Sequence, residues 1–137
     1  MPINRVELDT VARTIYGEAR GESFEGQVAV AWVIKNRSIK RRRTLMEICL
    51  APFQFSCWNS SDPNKAIIER VNFDDLKFTR AYGIACLVNT GNLPDPTENS
   101  DHYHTIARPK GARQWPPSWA SSLNKIKEIG NHVFYRS

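Results

Sequence analysis

A mainly α-helical domain of the α+β class, with a small extended β element, is what the sequence predicts. Three observations lead there. The 137 residues, 41% of them hydrophobic, match the usual size of about 100–200 residues for one domain and supply one apolar core, so residues 1–137 are read as a single domain. Apolar residues recur at helical spacing as far as Val88, and the closing stretch turns to β-branched and aromatic residues.

The first helix follows from Leu8, Val11, Ala12, Ile15 and Ala19, an i, i+3, i+4, i+7 stripe. Asn4 is placed to cap it and Glu7 to reach back as the reciprocal partner; Gly21 marks its end. From Glu25 to Arg37 the run is apolar on every face through Val28–Ile34, which predicts a buried central helix. Thr44-Leu45-Met46-Glu47 has the form of a capping box and opens a short helix that Pro52 stops. Residues 53–64, FQFSCWNSSDPN, mix aromatics with turn formers and read as a surface loop. Lys65–Val71 is a short helix, and Asp74 or Asp75 caps a longer one that Gly91 ends. Residues 101–108 alternate weakly and read as extended. Ser118 is placed to cap a last helix from Trp119 to Ile129, before a strand at His132–Tyr135.

Nineteen Lys and Arg against fourteen Asp and Glu leave a charge of +5, which favours anionic partners without choosing among nucleic acid, membrane surface and acidic wall polymer. Its densest block is Lys35, Arg37 and Lys40-Arg41-Arg42-Arg43. No run approaches the ~18 apolar residues of a membrane span, and the opening residues lack a secretory form, so membrane insertion is not expected. Three cysteines, Cys49, Cys57 and Cys86, cannot all pair within one molecule, and no pair among them is singled out. His102, His104 and His132 lack the carboxylate partner of a metal site, so neither a metal nor another cofactor is expected.

Glu18 closes the first helix in the string Tyr16-Gly17-Glu18-Ala19-Arg20-Gly21-Glu22. At 100° per residue it lies about 60° from Ile15 and about 20° from Val11, so it borders the apolar stripe, as a half-sheltered proton donor should. An ion pair with Arg13 or Arg20 would give it the same place, and Glu22 fits the stripe equally well if the helix runs past Gly21.

Residues 11–37, VARTIYGEARGESFEGQVAVAWVIKNR, resemble the catalytic domain of the SleB-like cell-wall hydrolases, the spore cortex-lytic family, which opens with an E-A-x-G-E segment followed by an E-G-Q-x-A-V-A helix ending in N-R. QFSCWNSSDPN at 54–64, DPT with HYH at 95–104, and IGNHVFYR at 129–136 follow in the family's order. The resemblance implies a lysozyme-like fold acting on peptidoglycan, cut between N-acetylmuramic acid and N-acetylglucosamine by a lytic transglycosylase or a muramidase. It also makes the first Glu of E-A-x-G-E, here Glu18, the acid. The sequence departs from the family at Glu98-Asn99-Ser100, where relatives carry a Gly-Ala pair. Without an export signal or the peptidoglycan-binding repeats common in spore versions, the chain resembles either a phage endolysin, made in the cytoplasm and released to the wall through a membrane lesion, or a trimmed domain.

Given that substrate, Phe55, Trp58, Tyr103 and Trp115 are candidates to stack on sugar faces, and Gln54, Ser56 and Asn59 to hydrogen-bond acetamido groups. Crowding by Phe55, Tyr103 and Tyr135 would exclude water. Asp101, with Asp95 behind it, is the candidate second carboxylate should the enzyme hydrolyse, since hydrolases pair two carboxylates about 5–9.5 Å apart. Transglycosylation by Glu18 alone is the favoured reading, in a monomer whose partner is the glycan strand. The reading of a different class is a basic helical module that binds nucleic acid through Arg37 and Lys40 to Arg43.

Overall fold

The computed structural model describes residues 4–137. Helix α1 (Arg5–Ala19) starts where Asn4 accepts from the Glu7 N–H at 2.9 Å. The reciprocal half of that box is not formed: the Glu7 carboxylate instead accepts from the Met46 N–H at 3.3 Å, at the opening of α3. An acidic group finds orphan donors there too, and tertiary contact decides which end it serves. Helix α2 (Phe24–Arg41) begins at a Ser23 cap and extends past the apolar run on both sides. Its residues from Val28 to Ile34 are buried except Trp32, as their unbroken hydrophobicity predicts. Helix α3 (Leu45–Leu50) carries both halves of the Thr44–Glu47 capping box. Helix α4 (Asn64–Arg70) and helix α5 (Leu76–Asn89) follow, the latter with Asp75 accepting from the Lys77 and Phe78 N–H groups. Val11, Ile15, Val30, Ile34, Ile68, Phe78, Ile84 and Val88 fill the space between the helices. No helix among the described residues is long and apolar enough to cross a membrane.

Strands β1 (His102–Thr105), β2 (Asn124–Ile129) and β3 (His132–Arg136) form an antiparallel sheet in the order β1-β3-β2. The helix expected from Trp119 to Ile129 is not present: Ser118–Ser122 is a short 3₁₀ turn, and β2 takes the rest. The cause is the partner strand. Ile129 pairs with His132 across a two-residue Gly130-Asn131 turn, with Gly130 at φ +58°, so the hairpin captures a segment whose local pattern allowed either form.

Opposed residues in an antiparallel pair share a face. Tyr103 faces Phe134 and Thr105 faces His132 on the inner side, where Phe134 and Ile129 pack on Ala29 and Val33 of α2. Tyr103 touches both this small cluster and the main core. His102 faces Tyr135 on the outer side, and the Trp115 and Trp119 rings gather there against His104 and Tyr135.

The segment before β1 is tied by Asp95, whose carboxylate accepts from the Thr97 N–H and hydroxyl, the Asn99 N–H and the Asn36 amide. Glu98 and Asn99 both adopt left-handed backbone, φ +51° and +68°. A side-chain-bearing residue there costs about 1–2 kcal/mol, less for Asn. Anchors on three sides hold the turn: the Asn99 N–H on Asp95, and the Glu98 and Asn99 carbonyls accepting from Arg136 and Lys40.

Candidate active site

Glu18 lies in the last turn of α1, half-buried, between the loop at 54–58 and the inner face of β1. Gly17 makes that meeting possible. A Cβ at position 17 would stand 2.7 Å from Cys57 Cβ and 2.8 Å from Cys57 Sγ, so only a residue without a side chain lets the loop lie flush on the helix. One turn earlier, Trp58 Nε1 donates to Thr14 Oγ1 at 2.9 Å, and Thr14 in turn donates to the Thr10 carbonyl at 2.8 Å. Phe55 anchors the loop's other side in the core, under the Arg37 guanidinium 5.0 Å from its ring centre.

Tyr103 donates its hydroxyl to Glu18 Oε1 at 2.8 Å. Burial, and then the Glu18 carboxylate, pushes the phenol's pKa well up, so it keeps its proton and remains a donor. The Tyr103 ring is set edge-on to His132, with centres 4.8 Å apart. The other oxygen, Oε2, is held loosely, by the Cys57 N–H at 3.3 Å and the Ser56 hydroxyl at 3.5 Å. Glu18 therefore has one oxygen fixed and one free to meet an incoming group.

Glu22 is placed differently. Its two oxygens accept from the Asn131 N–H at 3.0 Å and the Asn131 amide at 2.9 Å, clasping the β2–β3 turn. Burial disfavours its charge, but the Asn131 donors and His132 outweigh this and its pKa is lowered. The Glu22 carboxylate packs so closely on Gly130 that a Cβ there would meet Oε1 at 2.6 Å.

Asp101 is buried, and its carboxylate accepts from Lys40 at 3.1 Å, from His102 at 3.0 Å, and from the N–H and hydroxyl of Ser137. None of these is a partner of Glu18. Asp95 is equally taken up by its own loop.

Of the residues expected to contact sugar, the structure gathers Gln54, Ser56, Trp58 and Tyr103 around Glu18 or on the adjoining loop, with Gln54 and Ser56 exposed. Phe55 is corrected: it is 1% exposed and offers no ring face to a ligand, because the loop needs an apolar anchor. Tyr135 and Trp115 are corrected in placement. Both lie on the outer side of the sheet, where Tyr135 bonds His104 Nε2 at 2.9 Å and Trp115 Nε1 donates to the Thr105 carbonyl at 2.9 Å. The period-2 alternation of β1 and β3 sends Tyr135 outward while Tyr103 goes in, and Trp115, from the irregular segment after β1, packs against the outward-facing His104.

Sequence reasoning missed Phe53, which is 86% exposed at the loop's turn with φ +61°. Phe55 was the residue singled out, and the left-handed turn at Phe53 accompanies the opposite placement, Phe53 outward and Phe55 inward. Gly17, the glycine beside the candidate acid, is where the loop makes its close approach. The three cysteines are free thiols, with Cys49 and Cys57 buried. Burial pushes Cys49 up to about 12 and drives Cys57 higher still. Among the described residues no group of His, Cys, Asp and Glu is arranged to hold a metal ion.

A helical domain whose first helix ends in a glutamate set against a loop and a small antiparallel sheet belongs to the lysozyme-like α+β class. The sequence profile of the cell wall hydrolase family matches residues 21–135, and the chain belongs to that family. Glu18 lies just ahead of the matched stretch. The spore cortex-lytic enzyme of Oceanobacillus iheyensis is 31% identical over 134 residues, covering 93% of this chain and 41% of that protein. The Bacillus subtilis enzyme of the same name is 29% identical over 134 residues, covering 93% and 37%. The chain thus spans about two-fifths of the length of these curated relatives. The crystal structure of the Bacillus cereus SleB catalytic domain superposes with a TM-score of 0.75 at 25% identity, covering 98% of this chain and 93% of that one. The catalytic domain of the germination-specific lytic transglycosylase SleB from Bacillus anthracis matches with a TM-score of 0.75 at 28% identity, covering 99% and 100%.

Proposed function

We propose that this chain degrades peptidoglycan by cleaving glycan strands between N-acetylmuramic acid and N-acetylglucosamine as a lytic transglycosylase, with Glu18 as acid and then base. The observation that carries the reading is the asymmetric hold on Glu18: Tyr103 grips Oε1 at 2.8 Å while Oε2 has only long contacts. Protonated at Oε2, Glu18 gives its proton to the glycosidic oxygen as the bond to the muramyl C1 breaks. The resulting carboxylate takes the proton of the muramyl 6-hydroxyl as that oxygen closes on C1, forming a 1,6-anhydro ring and restoring the acid. No water is consumed, and one carboxylate suffices.

Support for a single acid comes from the other carboxylates. Glu22 is engaged by Asn131, and Asp101 by Lys40, His102 and Ser137, so neither is spare to direct a water. Gln54, Ser56 and the exposed Phe53 ring are the groups best placed on the loop to meet sugar. The wall is where the substrate lies, so the reading places the working enzyme, as a monomer, outside the membrane.

Mass spectrometry of digested sacculi tests the reaction type, because an anhydro end is lighter than a reducing end by one water. Anhydro-ended fragments that disappear with Glu18→Gln are expected. Reducing-end N-acetylmuramic acid as the main product, lost in Asp101→Asn, would replace this mechanism with that of a two-carboxylate muramidase.

A further inference from the structure

Helix α2 ends in a block of cations that its surroundings do not neutralise. Arg37, Lys40, Arg41, Arg42 and Arg43 place five cations within residues 37–43. Two are engaged: buried Arg37 donates to the Asp101 carbonyl at 2.6 Å, and Lys40 pairs with the Asp101 carboxylate at 3.1 Å. The other three are exposed. Arg42 adopts φ +53°, and the N–H groups of Arg42 and Arg43 both return to the Ser38 carbonyl, so the chain reverses and α3 folds back beside the helix end. An open cleft of about 450 Å³ lies there, lined by Arg41, Arg43, Glu47, Ile48 and Ala51.

Arg43 meets Glu47 only at 3.6 Å, with both side chains more than half exposed, which makes a weak pair. Among the described residues Arg41 and Arg42 form no ion pair. The carbonyl end of α2 offsets part of this charge, at about 0.3–1 kcal/mol for an exposed cation, which is little against three adjacent guanidinium groups. The Arg37 pKa is lowered, by burial first, with repulsion from Arg41 adding to it.

We infer that this cleft is an anion site, separate from Glu18, that seats a phosphodiester of a polyol-phosphate polymer of the wall. The Arg41 and Arg43 guanidinium groups in the lining match phosphate oxygens in bidentate fashion. Ile48 and Ala51 give an apolar floor for the polyol carbons, and Glu47 can accept from a polyol hydroxyl. The same Glu47 repels a second phosphate close by. That suits a flexible polymer with spaced charges better than a duplex carrying one charge per ~1.7 Å. The choice of polymer rests on the reading of the chain as a wall enzyme; the site shares no residue with the Glu18 pocket.

Calorimetric titration of short poly(glycerol phosphate) at low ionic strength tests this, with Glu18→Gln included so that binding is read apart from turnover. Saturable binding that salt weakens is expected, equal in wild type and Glu18→Gln. The double variant Arg41→Gln/Arg43→Gln should lose at least about tenfold in affinity. Lys125→Gln/Lys127→Gln, which removes the same charge from β2, should change it less than about twofold. Equal losses in the two double variants, no loss in the arginine variant, or tighter binding of duplex DNA than of the polyol phosphate would each overturn the site. Wall cleavage that survives Glu18→Gln would sink the catalytic reading and leave these binding results standing.

Discussion

Glu18 and Asp101 both sit where helix meets sheet, and they differ in how their oxygens are held. Asp101 receives four donors, from Lys40, His102 and Ser137 twice. Burial pushes its pKa up, yet those donors overturn this and hold the carboxyl far below the usual range. Glu18 receives one short bond at Oε1 and two long ones at Oε2. A carboxylate saturated with donors is a strut that stays ionised; one with a loosely held oxygen can pass a proton back and forth. Around one small sheet the same chemical group is held as a strut in one place and left with a loosely held oxygen in the other, which is what the proposed reaction needs.

That contrast is broken most directly at Glu18. Glu18→Gln should lower wall-lytic activity by a factor on the order of 10²–10⁴, the range for a general acid, with the melting curve unchanged. Asp101→Asn should do the reverse. Stability falls by roughly 2–3 kcal/mol, less than a fully enclosed pair would cost because Lys40 keeps contact with water, while activity per folded molecule is retained; denaturant titration alongside a turbidity assay checks both.

Because the Asp101 pKa is depressed in the folded state, the unfolded chain binds the proton first as pH falls. Its contribution is therefore full above about 4 and is lost below that. Asp101→Asn should lack this acid limb in a pH series of unfolding curves. An unchanged limb would assign the acid loss to other groups.

Tyr103→Phe sharpens the contrast from within the active site. Removing one hydrogen bond of about 1.4 kcal/mol from Glu18 corresponds to about tenfold in kcat. KM should be little changed. A kcat within about twofold of wild type would make Tyr103 only a packing group. Glu22→Gln is the smallest case. The Asn131 side-chain contact survives in altered form, so a stability loss of about 1 kcal/mol and a rate change well under that of Glu18→Gln are expected. An equal rate loss would move the acid to Glu22.

The helices were legible because their rules are local. Thr44 and Glu47 lie three residues apart and cap as written, and the stripe ending at Ala19 delivers Glu18 to a helix end without help from the rest of the chain. The sheet was not. Ser118 followed by Trp119 resembled a helix start, yet the deciding contact is between Ile129 and His132 across Gly130-Asn131, a two-residue turn signal that was present in the sequence and outweighed by the cap. The choice between Glu18 and Glu22 could not be made from periodicity, since it is Asn131 that occupies Glu22. Trp115 and Tyr135 were read by residue type, whereas strand parity puts Tyr135 on the outer face and packing on His104 puts Trp115 there. The family resemblance supplied the candidate site, and the structure shows which of its residues lie together.

Gly17 carries no chemistry, yet the loop beside Glu18 rests on its bare Cα, with Cys57 Cβ and Sγ 2.7 and 2.8 Å from where a side chain would begin. In a saturation mutagenesis library scored by lysis alone, position 17 will look like part of the catalytic apparatus, because every available substitution lifts the loop from the helix. Position 57 will show the complementary tolerance, accepting only residues as slim as cysteine. The two sites should drift together through descent, a larger loop residue becoming admissible only where the glycine is kept and the loop has moved.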